Sequence, residues 1–223
     1  MSEFDSLRAL YVNCTLKPSG RKSHTAGLME VSGGIARREG VEVETARLVD
    51  YHFPPGVQPD MRDDGFENDR FPEFFEKVET ADILVLGTPI WLGQVSSVAK
   101  RFLERMYGMS SELNDKGQSI FYGKVAGTII TGNEDGAKHC ATEILYSLQH
   151  LGYTIPPQAD AAWLGEVGPG PSYLDEESNG PDKEFTNQNT TIMTYNLMHL
   201  AHMLKKSNGY PRKGNDRNAW SDG

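Results

Sequence analysis

Short runs rich in apolar and β-branched residues alternate along this chain with stretches whose apolar residues recur every three to four positions. That alternation is the pattern of a parallel sheet wrapped by helices, because each crossover helix must bury one stripe against the sheet. The runs predict five strands, over residues 7–13, 41–48, 82–88, 124–131 and 153–160. The third, DILVLGT, is almost continuously apolar, as a central parallel strand covered on both faces should be.

Two helices between the strands carry clear 3.6-residue stripes. Val95, Val98, Ala99, Phe102, Leu103 and Met106 form one, with Lys100, Arg101, Glu104 and Arg105 opposite; Ala137, Cys140, Ala141, Ile144, Leu145 and Leu148 form the other. A weaker helix is expected over 23–39. A last one over 188–206 places Met193, Leu197, Leu200, Ala201 and Leu204 on one face. His199 and His202 share a helix side there, but no third ligand accompanies them, so they read as part of a polar face. Residues 1–206 thus read as a single domain. Segments 52–71 and 163–185, rich in Pro, Gly and acid, are expected as long loops lying over it and able to wall a substrate site. Residues 207–223 read as a tail that is frayed or docked on a partner subunit.

The 223 residues carry a net charge of −9, which disfavours a nucleic-acid or anionic-membrane surface. No apolar run approaches the roughly 18 residues of a membrane span, and the opening MSEFDSLRALYV lacks a secretory pattern, so a cytoplasmic protein is expected. Cys14 and Cys140 are too few for a disulfide framework or a four-ligand metal site and read as reduced, buried thiols.

Candidate chemistry gathers where strands end. The stretch NCTLKPSGRKSHTAGL follows the first strand and leads into a helix N-terminus, where backbone amides favour an anion. Thr15, Ser23 and Thr25 add hydroxyls, and Lys17, Arg21 and Lys22 a local positive field, so the loop reads as a phosphate site. It is neither a Walker A loop nor a Gly-x-Gly-x-x-Gly turn. After the third strand, TPIWLG places flat apolar atoms and free amides at the sheet edge, and after the fourth, TGNEDGAKHC allows close backbone approach to a flat ring. With strand order 2-1-3-4-5 these loops meet at the switch point where ligand crevices form.

Together, TPIWLGQVSSVAKRFLER and TGNEDGAKH resemble the flavodoxin-like NAD(P)H-dependent FMN reductases, a family that includes quinone and azo-dye reductases. The resemblance covers about residues 7–160. It implies an α/β, flavodoxin-like, doubly wound five-stranded parallel sheet of order 2-1-3-4-5 with helices on both faces. It also implies FMN as cofactor and NADPH or NADH as co-substrate. On this resemblance Thr15, Lys17, Ser23, His24 and Thr25 are candidates for the FMN phosphate. Pro89, Ile90, Trp91, Leu92 and Gly93 would flank the ring, and Gly132, Asn133, Glu134, Asp135 and Gly136 would meet its pyrimidine side or the ribityl chain. The first loop departs from the family's usual Gly-Ser-Pro-Arg, reading Asn13-Cys14-Thr15-Leu16-Lys17-Pro18.

The implied reaction is ping-pong: NAD(P)H gives hydride to flavin N5, leaves, and a quinone, flavin or similar small electron acceptor takes its place. No side-chain acid or base is required, and amides of the second and third loops would stabilise negative charge developing on the ring. Relatives of this kind suggest a homodimer or homotetramer. Two other classes stay open: a flavodoxin-type electron carrier without its own NAD(P)H site, and a flavin-free binding module of the same fold.

Overall fold

The computed structural model describes residues 2–220. Five parallel strands, β1 (Arg8–Asn13), β2 (Glu42–Arg47), β3 (Ile83–Trp91), β5 (Val125–Gly132) and β6 (Asp160–Leu164), pair in the order β2-β1-β3-β5-β6. A two-residue strand, β4 (Gln94–Val95), turns back antiparallel on the tip of β3. Setting β4 aside, this is the flavodoxin-like order expected from the sequence.

Alternate residues of the central strands feed two separate cores. Leu10, Val12, Leu84, Leu86, Ala126 and Ile130 pack with α2 (Phe71–Thr80), α3 (Ser97–Tyr107) and α4 (Ala137–Leu151) on one face. Ala9, Tyr11, Ile83, Val85, Val125 and Ile129 pack with α1 (His24–Arg38) and α5 (Glu184–Lys206) on the other. Burial on both faces is why the strands read as nearly unbroken apolar runs.

Three elements depart from expectation. The last strand is Asp160–Leu164 rather than 153–160: Thr154 makes only an isolated bridge with Val125, and Pro156-Pro157 carries no amide with which to continue a ladder. Pairing resumes at Thr128↔Asp160 and runs to Gly132↔Leu164. Helix α2 was not anticipated, although Phe71, Phe74, Phe75 and Val78 are its buried stripe. The hairpin β3–β4 turns on Leu92 and Gly93, both at positive φ (55° and 72°), as its two-residue turn demands. Ser96 then caps α3 by accepting from Ala99 N (3.1 Å).

Segment 52–70 is anchored by a fully buried ion pair. Arg105 Nη2 donates to Asp69 Oδ2 (2.6 Å) and to the Pro59 carbonyl (3.2 Å), while Asp69 also accepts from the Met61 and Phe71 amides. Of the residues after α5, 207–220 are described, and they make contacts with their own chain. Lys116 and Gln118 donate to the Tyr210 carbonyl, and the Tyr210 hydroxyl meets Thr154 Oγ1 at 3.0 Å. Both cysteines are buried; desolvation raises the Cys14 thiol well above its ordinary pKa and pushes Cys140 up to about 11. His199 and His202 both meet the Phe4 ring, and among the described residues no three potential ligands cluster for a metal. No helix among them is long and apolar enough to cross a membrane.

Candidate functional site

A cavity of about 470 Å³ opens at the C-terminal ends of β1, β3, β5 and β6. Its first wall is the β1–α1 loop. Cys14 N donates to Gly87 O (2.7 Å), Thr15 N to Asn13 Oδ1 (3.0 Å), and Ser96 Oγ to Cys14 O (2.6 Å), which ties this loop to the end of β3. From outside, Arg47 Nη1 donates to the carbonyls of Lys17 (3.3 Å), Pro18 (2.6 Å) and Arg21 (2.9 Å), and Asp50 accepts from Ser19 N and Oγ. With its carbonyls drawn outward, the loop is left to serve an anion with amides, together with the first-turn N–H groups of α1 that no intrahelical carbonyl can reach.

Thr15, Lys17, Ser23, His24 and Thr25 all border the cavity. Two of their hydroxyls already have structural work. Ser23 Oγ caps α1 by accepting from Ala26 N (3.1 Å) and also accepts from Asn13 Nδ2 (3.3 Å); Thr25 Oγ1 meets Thr131 Oγ1 at 2.7 Å. His24 Nδ1 accepts from Leu174 N (3.1 Å), which places the proton of the neutral ring on Nε2. Burial pushes this imidazole below its ordinary pKa against the opposing charge of Asp175, favouring that neutral form.

The second wall is apolar. Pro89, Ile90 and Trp91 border it from the end of β3, with Trp91 52% exposed. Opposite stands Trp163, which the sequence reading left inside a loop but which belongs to β6, buried and edge-to-face with Tyr173 (5.8 Å). Gly132, Asn133 and Glu134 complete this end.

Leu92, Gly93, Asp135 and Gly136 lie outside the cavity. Leu92 is 90% exposed, and Gly136 packs so closely on the Gly93 carbonyl that a Cβ there would sit 2.7 Å from it. The Leu92 and Gly93 amides, expected to face a ring, instead donate to Glu134 (3.2 and 3.0 Å). Of the two long loops, only 163–185 reaches the cavity, through Gly168, Pro169, Gly170 and Ser172; 52–71 packs against α3. Leu16, not singled out in the sequence, and Thr131, which heads the strand-end loop expected to lend its amides, also border it. Thr131 had a readable signal, standing directly before Gly132 at the end of a parallel strand. Ser172 had none, because its place depends on the path of a distant loop.

Amides, hydroxyls and Lys17 at one end, and flat apolar residues with a glycine-rich wall at the other, fit a phosphorylated ligand bearing an aromatic ring system. The volume lies within the range of small-molecule sites.

The chain is similar to several known proteins. Over 202 residues the chain is 60% identical to a Mycobacterium bovis protein named divalent metal cation transporter MntH; the match takes in 91% of this chain but only 30% of that relative's length. It is 38% identical over 207 residues to 8-demethyl-8-aminoriboflavin-5'-phosphate synthase of Streptomyces davaonensis, covering 91% of this chain and 80% of the relative. Among solved structures, RosB with bound 8-demethyl-8-formylriboflavin-5'-phosphate superposes with a TM-score of 0.85 at 38% identity, over 97% of this chain and 86% of that one. The model of the NADPH-dependent FMN reductases matches residues 8–164, from the first strand to the last, and takes in the loops after β1, β3 and β5 that border the cavity. The protein is therefore a member of the NADPH-dependent FMN reductase family.

Proposed function

We propose that this protein is an FMN-dependent NAD(P)H:acceptor oxidoreductase, with a quinone, a flavin or a similar small molecule as acceptor. The observation that carries the reading is one cavity bordered by the amide- and hydroxyl-bearing β1–α1 loop at one end and by Pro89, Ile90, Trp91 and Trp163 at the other. FMN, the cofactor of the family, would be held in this cavity and would supply two-electron carrier chemistry between NAD(P)H and the acceptor.

The chain's own part is binding and orientation. Thr15, Lys17 and the first-turn amides of His24 and Thr25 hold the phosphate; Ser23 keeps those amides in place as the helix cap. Pro89, Ile90 and Trp91 support the ring from β3, and Trp163 closes the far side and keeps water out. The half-exposed Trp91 leaves one side open for nicotinamide and acceptor to alternate. A homodimer or homotetramer in the cytoplasm belongs to the same proposal, and sedimentation reads the oligomeric state.

The deciding experiment is spectroscopic. Purified protein loaded with FMN should bleach on NADPH or NADH under nitrogen and recover its colour when a quinone is added. Bleaching by dithionite but by neither nucleotide would point to an electron carrier instead. A second reading, with flavin as the substrate altered in the pocket, is favoured by the likeness to RosB with its bound formylriboflavin phosphate, which extends over 97% of this chain. Mass spectrometry of the flavin recovered after turnover separates the two: unchanged FMN supports the oxidoreductase.

The phosphate assignment has its own test. Because the Ser23 and Thr25 hydroxyls are engaged within the protein, Thr15→Val with Lys17→Ala is the informative variant. Charge-assisted hydrogen bonds contribute about 1.5–3 kcal/mol each, so FMN affinity should fall ten-fold or more. Riboflavin, lacking the phosphate, should bind almost as before; an equal loss for both ligands would mean that the loop shapes the site without holding the anion.

A further inference from the structure

Segment 165–175 crosses above the cavity and is fastened at two places. At one end, Asn133 Nδ2 donates to Pro171 O (2.9 Å), Asn133 Oδ1 accepts from Ser172 Oγ (2.8 Å), and the Asn133 carbonyl accepts from Gly168 N (3.1 Å). This network fixes the amide orientation, since the flipped side chain would set its oxygen against the Pro171 carbonyl. At the other end, Leu174 N donates to His24 Nδ1 (3.1 Å), and Lys22 Nζ to Asp175 Oδ1 (2.6 Å). Leu174 sits so tightly on α1 that a Cβ on Gly27 would come within 2.5 Å of it. Between these fastenings the Gly168–Gly170 arch borders the cavity. Gly168 lies at φ 121° with nothing within 4 Å of where a Cβ would stand, and its N–H is held by the Asn133 carbonyl.

Both ends of the Asn133 amide are therefore occupied by the strap, leaving it poorly suited to be the ring ligand the sequence suggested. We propose that Asn133 is a positioning residue that holds the 165–175 strap closed over the pocket and so sets how long a flavin stays bound. The proposal rests on the flavin reading of the cavity. A ligand seated between the strand-end loops and this arch is retained by it on that side, and lifting the arch breaks the bonds to Pro171, Ser172 and Gly168 together. Since the strap lies above the ring end, FMN and riboflavin should feel it alike, unlike a change in the phosphate loop.

The test combines flavin release with limited proteolysis. Asn133→Ala should speed dissociation of FMN and of riboflavin by about ten- to thirty-fold, with association changed little. In flavin-free protein the same substitution should make the strap cleave at least several-fold faster than the unsubstituted chain, with the melting temperature nearly unchanged. A direct ring ligand would weaken binding without altering cleavage of the empty protein, so an unaltered strap would overturn the proposal. Unaltered release rates with flavin bound would overturn it too. If the unsubstituted chain took up no flavin at all, the reading of the pocket itself would fall and this proposal with it.

Discussion

Arg105→Ala should cost about 3–5 kcal/mol of stability, because it strands the carboxylate of Asp69 in a site that water does not reach. Neither member of the pair has any exposed side-chain surface, and the guanidinium also lies over the Phe71 ring at 4.7 Å. Asp69→Ala should be of similar size, for it removes the acceptor of the Met61 and Phe71 amides as well. Replacing the pair together, as Arg105→Met with Asp69→Leu, should restore part of the loss, since no buried charge is then left alone. Urea unfolding of the three variants reads this directly. A loss under about 1 kcal/mol for Arg105→Ala would mean that the pair is effectively solvated. Flavin affinity should hardly move, because segment 52–71 does not border the cavity.

Trp163→Ala is expected to lower stability by about 3–5 kcal/mol and to weaken flavin binding at the same time. The indole is buried, packs edge-to-face on Tyr173 and forms one side of the pocket; Gly165 beside it has no room for a Cβ, which would lie 2.6 Å from the ring. Trp91→Ala should behave in the opposite sense. Half exposed at the tip of β3, it should lose ligand contact of about 0.5–1.5 kcal/mol with little change in unfolding. Flavin titration and chemical unfolding of both variants settle the contrast, and a larger stability loss at Trp91 than at Trp163 would refute it.

What could be read from the sequence divides along physical lines. β3, β5, α3 and α4 were legible because burial imposes strong periodicity: Ile83 to Leu86 must be apolar on both sides, and Ala99, Phe102, Leu103 and Met106 must share one stripe, although Val95 falls in β4 and Arg105, read on the polar face, is fully buried. The loop between β1 and α1 was legible as a strand-to-helix connection because a strand, a glycine-bearing turn and a capped helix are all local features. β6 was misplaced because Tyr153-Thr154-Ile155 has the stronger strand composition, whereas Ala161 and Ala162 pair through backbone contacts that composition does not report. α2 was hidden because its stripe begins at Phe71, at the edge of an acidic, proline-rich stretch that reads as a loop. Among site residues, the candidates from strand ends converge except for Leu92, Gly93, Asp135 and Gly136, whereas the wall from Gly168 to Ser172 depends on long-range bonds to Asn133 and His24.

The clasp of Arg47 on the first loop bears on the thermodynamics of ligand capture. A single guanidinium nitrogen from the edge strand β2 gathers three carbonyls of a loop rich in glycine and serine, and Asp50 fastens Ser19 beside it. Ordering a backbone residue costs about 1–2 kcal/mol in conformational entropy. Here that cost falls on folding, in the company of the sheet, and not on the moment of encounter. On the proposed reading, an incoming phosphate would meet a loop already ordered, and less of the contact energy would go into ordering the backbone on binding.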